Sequence, residues 1–439
     1  MLFYTSVNAA YLPKARVLGY SLKKWNPTAK LYIVLSDEIP RGFRIEDEPF
    51  DGILLSEEIE LTLDMSREFW IFLHDVTELC TAVKGWAALE LLRRTNAEEI
   101  IYLDPDMLVC HSLEPLKAFL REHDIVVTPH RLAPEPLFDQ MFYGDQQFYT
   151  RGGFNLGFLA VKNSEEGVRF LKWWAGMLER YCYVDDPEGL FTDQKLMDIA
   201  PCFFGTLFIC RDETYNVSWW NLTQREVSGD AEALYVNGKR VRLYHFSNVE
   251  SGLHEEIIRK YCADNVALRA LYNWYLEEQK KMGYQKGIVW DWKFDHYDNG
   301  EKIRPITREM TRKRKDMIEK YKNSNPFQTG EGTLFACYQK DWPEYLEADT
   351  GKYEKYEKKH ERIMLLTAYQ EKERLLELVR EKEKSCKIKT LAIYDERNYL
   401  RKKLKETETA YGEVINSNCW KLTGPIRRVL DWAKGYGRK

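Results

Sequence analysis

Over roughly its first 250 residues the chain alternates short apolar runs with amphipathic stretches, a pattern of strands interleaved with helices. Phe3 to Val7 reads as a strand that begins almost at once. Pro13 to Lys24 reads as a helix, with Asn26-Pro27 as its stop. Lys30 to Leu35 and Gly52 to Leu55 follow as strands. Thr77 to Arg94 is a strongly helical run with Leu79, Val83, Trp86, Leu89 and Leu91 on or near one face. Ile100 to Leu103 reads as a buried strand stopped by Asp104-Pro105-Asp106. A helix over Glu114 to Arg121 leads into the strand Ile125 to Val127. Phe154 to Val161 is a further core strand, Gly167 to Glu179 a helix carrying Trp173 and Trp174, and Val241 to Phe246 a last apolar strand. Such alternation predicts an α/β fold, a mostly parallel sheet with helices on both faces.

After residue 250 the pattern changes. Residues 255 to about 320 read as mostly helical, interrupted by an irregular aromatic stretch from Val289 to Asp298. Beyond Trp342 a charged helical region carries Leu365, Leu366, Tyr369, Leu375, Leu376 and Val379 at three- and four-residue spacings, the mark of a long amphipathic helix or short coiled coil. These shifts divide the chain into residues 1–250, a helical accessory region at 251–343, and a charged region with a basic tail at 344–439. From Trp420 to Lys439 there are six Lys/Arg against one Asp, with Trp420, Leu422, Ile426, Val429, Leu430 and Trp432 among them. A basic amphipathic end of this kind suits an anionic membrane surface, or a solvated helix packed on its own protein.

Composition narrows the function classes. With 439 residues, 44% of them hydrophobic, there is material for two or three folded units. A net charge of −4 gives no global field for nucleic acid, so neither DNA nor RNA is an expected partner. No signal peptide pattern opens the sequence, and nowhere do about 18 uncharged apolar residues run together. Cys80, Cys110, Cys182, Cys202, Cys210, Cys262, Cys337, Cys386 and Cys419 show neither metal spacing nor disulfide density. Reduced thiols and a cytoplasmic location are the expectation.

Candidate chemistry centres on Ile100-Ile101-Tyr102-Leu103-Asp104-Pro105-Asp106, an apolar strand ending in two carboxylates one residue apart. Ligands of open α/β sheets bind at the carboxyl ends of strands. Two carboxylates there suit Mg²⁺ or Mn²⁺, which take one or two protein carboxylates together with substrate phosphates; an ordinary Asp-Pro turn is the plain alternative. Thr5-Ser6-Val7-Asn8 brings hydroxyl and amide groups to the same edge, suited to a base or ribose, or simply to a turn. Arg151-Gly152-Gly153-Phe154-Asn155-Leu156-Gly157 sets an amide among glycines, where a sugar could approach the backbone; a bulge or tight turn reads equally well. Phe191-Thr192-Asp193-Gln194 adds a carboxylate and an amide at a helix start, where Thr192 or Asp193 could cap. Tyr244-His245-Phe246-Ser247 ends an apolar strand with a histidine, a structural residue or a ligand for a metal such as Mn²⁺.

In this order, with Lys84 on the intervening helix, the motifs resemble the retaining GT-A glycosyltransferases of the glycogenin and lipopolysaccharide galactosyltransferase type. They are similar, more closely still, to bacterial glycosyltransferases associated with surface-polysaccharide synthesis. The resemblance covers residues 1 to 250 and extends loosely through Asp298-Asn299-Gly300 to Asn325-Pro326-Phe327. It implies a Rossmann-like GT-A fold and transfer from a nucleoside-diphosphate sugar, a UDP-sugar foremost, to a glycan or lipid-linked acceptor. Asp104, Asp106 and His245 would hold Mn²⁺ or Mg²⁺. Thr5, Ser6 and Asn8 would meet the nucleoside, and Lys84, Asp104 and Gly153 the rest of the donor. Asn155, Asp193 and Gln194 would surround the transferred sugar, Asp193 or Gln194 stabilising its cationic form during a reaction that retains configuration.

Two departures stand out. Related sequences carry a glycine and a lysine after the histidine that grip the diphosphate; Ser247-Asn248-Val249-Glu250-Ser251-Gly252 has no lysine, and Arg242 or Lys239 are weak substitutes. Gly85 follows Lys84 where related sequences often have proline. Ser417-Asn418-Cys419-Trp420-Lys421-Leu422-Thr423-Gly424-Pro425 resembles a tail recurring in bacterial polysaccharide-assembly enzymes, which implies the cell envelope, at the inner face of the plasma membrane. The C-terminal helices would serve membrane contact or self-association. Two rival readings stand beside this one. A nucleotidyltransferase also binds Mg²⁺ at a sheet edge, but Val7-Asn8-Ala9-Ala10-Tyr11 lacks the glycine-rich, basic loop it would need. A non-catalytic assembly scaffold would work through its charged helical tail.

Overall fold

Apolar alternation along the early strands is satisfied on two faces at once. In a computed structural model, which describes residues 1–135, 145, 147–185, 188–284, 291–346, 375 and 392–416, the strands run β1 Leu2–Val7, β2 Lys30–Leu35, β3 Gly52–Leu55, β4 Glu99–Leu103, β5 Met107–Val109, β6 Ile125–Pro129 and β7 Phe154–Lys162. Two-residue strands β8 Val184–Asp185 and β9 Leu190–Phe191 follow, then β10 Leu207–Ile209, the small sheet β11 Val227–Gly229, β12 Leu234–Val236 and β13 Lys239–Arg240, and β14 Leu243–His245. The main sheet has seven strands in the order β10-β6-β7-β4-β1-β2-β3. Every residue of β1 is buried, as a strand covered on both faces requires.

The covering helices are α1 Leu12–Trp25, α2 Arg67–Phe72, α3 Val76–Ala82, α4 Lys84–Thr95, α5 Leu116–Glu122, α6 Gln147–Arg151, α7 Glu165–Tyr181, α8 Thr192–Met197 and α9 Ala200–Phe203. Leu2, Tyr4, Ile100, Tyr102, Leu159 and Val161 point into a core shared with α3, α4, α7 and α8. Their neighbours Phe3, Val7, Ile101, Leu103, Phe158 and Ala160 point into a second core with α1 and α5. The α/β expectation, a mainly parallel sheet with helices on both faces, holds.

Three details differ from the sequence pattern. Strand β7 runs antiparallel to both β4 and β6; an antiparallel neighbour needs no helical crossover. The helical run after Asp75 is two helices meeting at Val83, with i→i−4 hydrogen bonds continuing across the junction from Val83 to Leu79 and from Ala87 to Val83. Gly85 lies where α4 crosses α7, and a Cβ there would come within 2.5 Å of Ala175 Cα, so only glycine fits the approach. The last apolar strand stays outside the main sheet: β14 pairs with β5, antiparallel, in the register Met107↔His245.

Later in the chain come α10 Leu253–Tyr261, α11 Val266–Lys281, α12 Pro305–Lys313, α13 Lys315–Tyr321 and α14 Leu334–Asp341. Helices α10 and α11 close a third core over β12 and β14, and the segment 297–346 packs on α2 in a fourth. Contacts divide the chain into units Met1–Leu346 and Glu347–Lys439. In the second, residues 392–416 form one helix; the tail from Trp420 and all the apolar positions of the 365–379 repeat except Leu375 lie outside the described residues. Among the described residues no helix is long and apolar enough to cross a membrane. None of the described cysteines forms a disulfide, and Cys110, Cys182 and Cys210 are buried.

Candidate metal and donor site

The turn Asp104-Pro105-Asp106 joins β4 to β5 at the carboxyl edge of the sheet. Its backbone is anchored on both sides: Asp104 N–H donates to Gly157 C=O at 2.8 Å, and Phe246 N–H donates to Asp106 C=O at 2.9 Å. The β5–β14 register then sets His245 against the turn. Nε2 of His245 lies 3.0 Å from Asp106 Oδ1 and 3.8 Å from Asp104 Oδ2. Ligand atoms of the three residues fall within 4.8 Å of one another. Adjacent ligands of an octahedral ion with bonds near 2.1 Å lie about 3 Å apart, so the spacing fits a small divalent cation. The other imidazole nitrogen faces Asn216 Oδ1 at 3.2 Å, a partner that fixes the ring and leaves Nε2 toward the carboxylates. Burial, which would raise the Asp106 pKa, is outweighed by His245 and Lys14, and the carboxyl is held below its ordinary range.

Two side-chain chains spread from this cluster. Lys84, buried on the first turn of α4, places Nζ 2.8 Å from Asp193 Oδ2 and 3.3 Å from Asp104 Oδ1. It also lies 4.1 Å from the Tyr102 ring centroid, and Tyr102 O–H donates to Asp104 Oδ1 at 2.6 Å. For Lys84 the desolvation that would lower its pKa is overcome by Asp104 and Asp193, so it stays charged. The second chain runs through amides. Asn216 Nδ2 donates to Asn155 Oδ1 at 2.9 Å, and Asn155 Nδ2 donates to Gln194 Oε1 at 2.8 Å. Asp193 and Gln194 are therefore joined to the Asp-Asp-His cluster by two separate chains of contacts.

Thr192 is not a cap. Helix α8 starts at it with Phe191 in the capping position and no side-chain capping bond, and Thr192 itself has φ +45°, costly for a β-branched residue. That strained turn faces Asp193 inward onto Lys84. Gly153 is exposed; its N–H donates to Asp198 Oδ1 at 2.8 Å, and the described contacts do not bring it to the cluster. Thr5 and Ser6 are buried at the end of β1. Asn8 follows them, also buried. Arg242 and Lys239 lie elsewhere, in a groove of about 610 Å³ with His111 and Arg211, where Lys239 pairs with Glu213 at 2.9 Å.

Gly157 closes the geometry. A Cβ there would meet His245 Cε1 at 2.5 Å and Asp104 Oδ2 at 2.8 Å. Gly157→Ala is expected to push the imidazole and carboxylate apart, weakening Mn²⁺ binding about tenfold or more and costing about 1–3 kcal/mol of stability. Titration calorimetry and thermal unfolding of the variant check both; unchanged Mn²⁺ affinity would count against the cluster as a cation site.

Sequence reasoning missed two participants, Asn216 and Lys14, and a neighbouring anchor, Asp37. Asn216, with φ +53°, reads in sequence as a turn residue. Asp37 accepts from Ala9 N–H at 3.1 Å and Lys293 N–H at 3.2 Å, tying the β1 exit to a segment far along the chain. Lys14, 2% exposed, ion-pairs with Glu250 at 2.5 Å beside Asp106. Its signal was legible: Lys14 shares the apolar stripe of Leu18 and Leu22. Four carboxylates (Asp104, Asp106, Asp193, Glu250) against two ammonium groups (Lys14, Lys84) leave two negative charges uncompensated, the charge of one divalent ion.

Fold and site together define an α/β protein with an Asp-Asp-His cluster, spaced so that it could hold a cation, at the carboxyl edge of its sheet. No family model matches the chain. YfnD of Bacillus subtilis (strain 168), described as uncharacterized, is 22% identical over 255 residues, covering 56% of this chain and 76% of YfnD. Similar solved structures include an active-site mutant of LgtC, at 14% identity and TM-score 0.38, covering 64% of this chain and 96% of that one. Mouse xyloside xylosyltransferase 1 is similar at 14% identity and TM-score 0.34, over 56% of this chain and 97% of its own. The glycosyltransferase GlyE of Streptococcus pneumoniae TIGR4 is similar at 15% identity and TM-score 0.30, over 49% and 46%. Likenesses this distant assign no residue a role.

Proposed function

We propose that this chain is a metal-dependent GT-A glycosyltransferase that moves a sugar from a nucleoside-diphosphate sugar to a glycan or lipid-linked acceptor in cell-surface polysaccharide synthesis. One observation carries the reading: the Asp104–Asp106–His245 cluster is joined to Asp193 through Lys84 and to Gln194 through Asn216 and Asn155. Bound there, Mn²⁺ or Mg²⁺ supplies neutralisation of the charge that develops on a departing diphosphate.

The remaining work falls to the chain's own groups. Thr5, Ser6 and Asn8 take the nucleoside through two hydroxyls and an amide. Lys84 holds Asp104 in place and opposes the rise that burial imposes on the Asp193 pKa. Because the Asp193 carboxylate is shared with Lys84, its proposed role is electrostatic, stabilising a cationic sugar rather than attacking it. Gln194 spends its carbonyl on Asn155 and keeps its amide hydrogens for the sugar. Retention of configuration belongs to this proposal, as do the division into a catalytic region at 1–250 and an accessory region at 251–343, and work at the cytoplasmic face of the membrane with the region from 344 as the docking or self-association element.

A thermal-shift panel of UDP, GDP, CDP and ADP with and without Mn²⁺ tests the reading. One nucleotide is expected to stabilise the fold by about 2.7 kcal/mol at a hundredfold excess over its Kd, and only with metal present. A scaffold predicts no shift with any of them, and that result would end the enzyme reading.

A further inference from the structure

The diphosphate end of the site, on the glycosyltransferase reading, lacks the lysine that similar sequences place after the histidine. Arg242 and Lys239 do not replace it, since they face a separate groove. Lys14 instead pairs with Glu250, four residues beyond Phe246, whose N–H holds the Asp106 carbonyl. It stands in the first turn of α1, where a cation opposes the helix dipole, and it is almost wholly removed from water. An ammonium group in that position persists only with an anion against it. Its partner is Glu250, 2.5 Å away, with the Tyr11 ring centroid 3.9 Å from Nζ on another side.

Glu250 differs from the other carboxylates of the site. Its side chain is 36% exposed, and it sits in the turn between β14 and α10, flanked by Asn248 at φ +60° and Gly252 at φ +77°. Leaving Lys14 would therefore return Glu250 to water at little desolvation cost. Lys14 cannot follow it. With a divalent ion at the cluster the site is electrically balanced, so an incoming diphosphate would add uncompensated negative charge unless a carboxylate departs.

We propose that Lys14 is the phosphate-gripping cation of this site and that Glu250 is its latch, a carboxylate that occupies the diphosphate position in the free protein and is displaced by the ligand's phosphate. The exchange makes and breaks ion pairs only. It places a built-in competitor at the donor site, so that donor affinity is set by the difference between two anions for one buried ammonium.

Titration calorimetry at saturating Mn²⁺, using the tightest-binding of UDP, GDP, CDP and ADP, tests the latch with two variants. Lys14→Met is expected to weaken nucleotide binding about tenfold or more, the worth of one charged hydrogen bond. Glu250→Gln is expected to tighten it about threefold or more, because the competitor loses its charge. The opposite signs separate a latch from structural damage, and the glutamine variant decides the matter should the methionine variant fold poorly. Binding by Lys14→Met within twofold of the parent, or binding by Glu250→Gln no tighter than the parent's, would overturn the latch while leaving the glycosyltransferase reading intact. A parent protein that binds Mn²⁺ but none of the four nucleotides would remove both.

Discussion

Asp106→Ala is expected to lower metal-dependent turnover of a sugar nucleotide by about three orders of magnitude or more, the consequence of losing several kcal/mol of charge stabilisation. The substitution leaves the backbone of the turn alone. Asp106 is anchored to β14 through its backbone carbonyl, which accepts from Phe246 N–H at 2.9 Å, and alanine keeps that bond. The fold should therefore survive. What disappears is the carboxylate 3.0 Å from His245 Nε2, one of three ligand groups in the cluster. Nucleotide release measured across a Mn²⁺ titration reads the effect, and calorimetry should show Mn²⁺ binding lost in parallel. Full turnover by a well-folded variant would detach the chemistry from this site.

Lys84→Met should produce the largest change in stability, about 3–5 kcal/mol, because it strands a buried carboxylate. Asp193 is 3% exposed and its ammonium partner is 2.8 Å away. Burial already raises the Asp193 pKa, with Lys84 the main opposing influence. Without that ammonium, the folded protein would bind the Asp193 proton more tightly than the unfolded chain does. A carboxyl raised in this way costs stability above its unfolded pKa, near 3.9, and the cost fades as the proton is supplied. The deficit against the parent should be complete near neutral pH and shrink as pH falls toward about 4. Urea unfolding of both proteins at neutral and mildly acid pH measures it. A deficit under about 1 kcal/mol, or one that grows in acid, would contradict the buried-pair account.

The candidate site was legible in sequence where chemistry and chain position coincide. Asp104 and Asp106 announce themselves because two carboxylates end an apolar strand, and strand ends face ligands. Thr5, Ser6 and Asn8 end another strand the same way. Asn155, Asp193 and Gln194 were noticed through the company of glycines and a helix start, and the structure joins them to the cluster by hydrogen bonds and an ion pair. Asn216 escaped notice because an asparagine between two short strands carries no sign of which side chain it will hold. Lys14 escaped because a lysine in a helix is read as solvated unless its place on the buried stripe is weighed. Gly153 shows the converse: it shares a motif with Asn155, yet its amide is engaged with Asp198.

The sequence by itself determined the α/β class, the approximate limits of β1 to β4, β6 and β7 and of α1, α5 and α7, and the carboxylate pair at a strand end; α2, β5 and α6 carry no such local mark. These follow from local periodicity and from proline and asparagine stops, which act over a few residues and are written in the chain. Only the tertiary structure decided that β7 turns antiparallel and that β14 leaves the main sheet to pair with β5. The same holds for Lys84 bridging two carboxylates and for Lys14 lying under Glu250. Each is a pairing between segments tens to hundreds of residues apart. Such pairings are selected by packing and by the cost of leaving a buried charge unmatched, and neither quantity exists until the fold has closed.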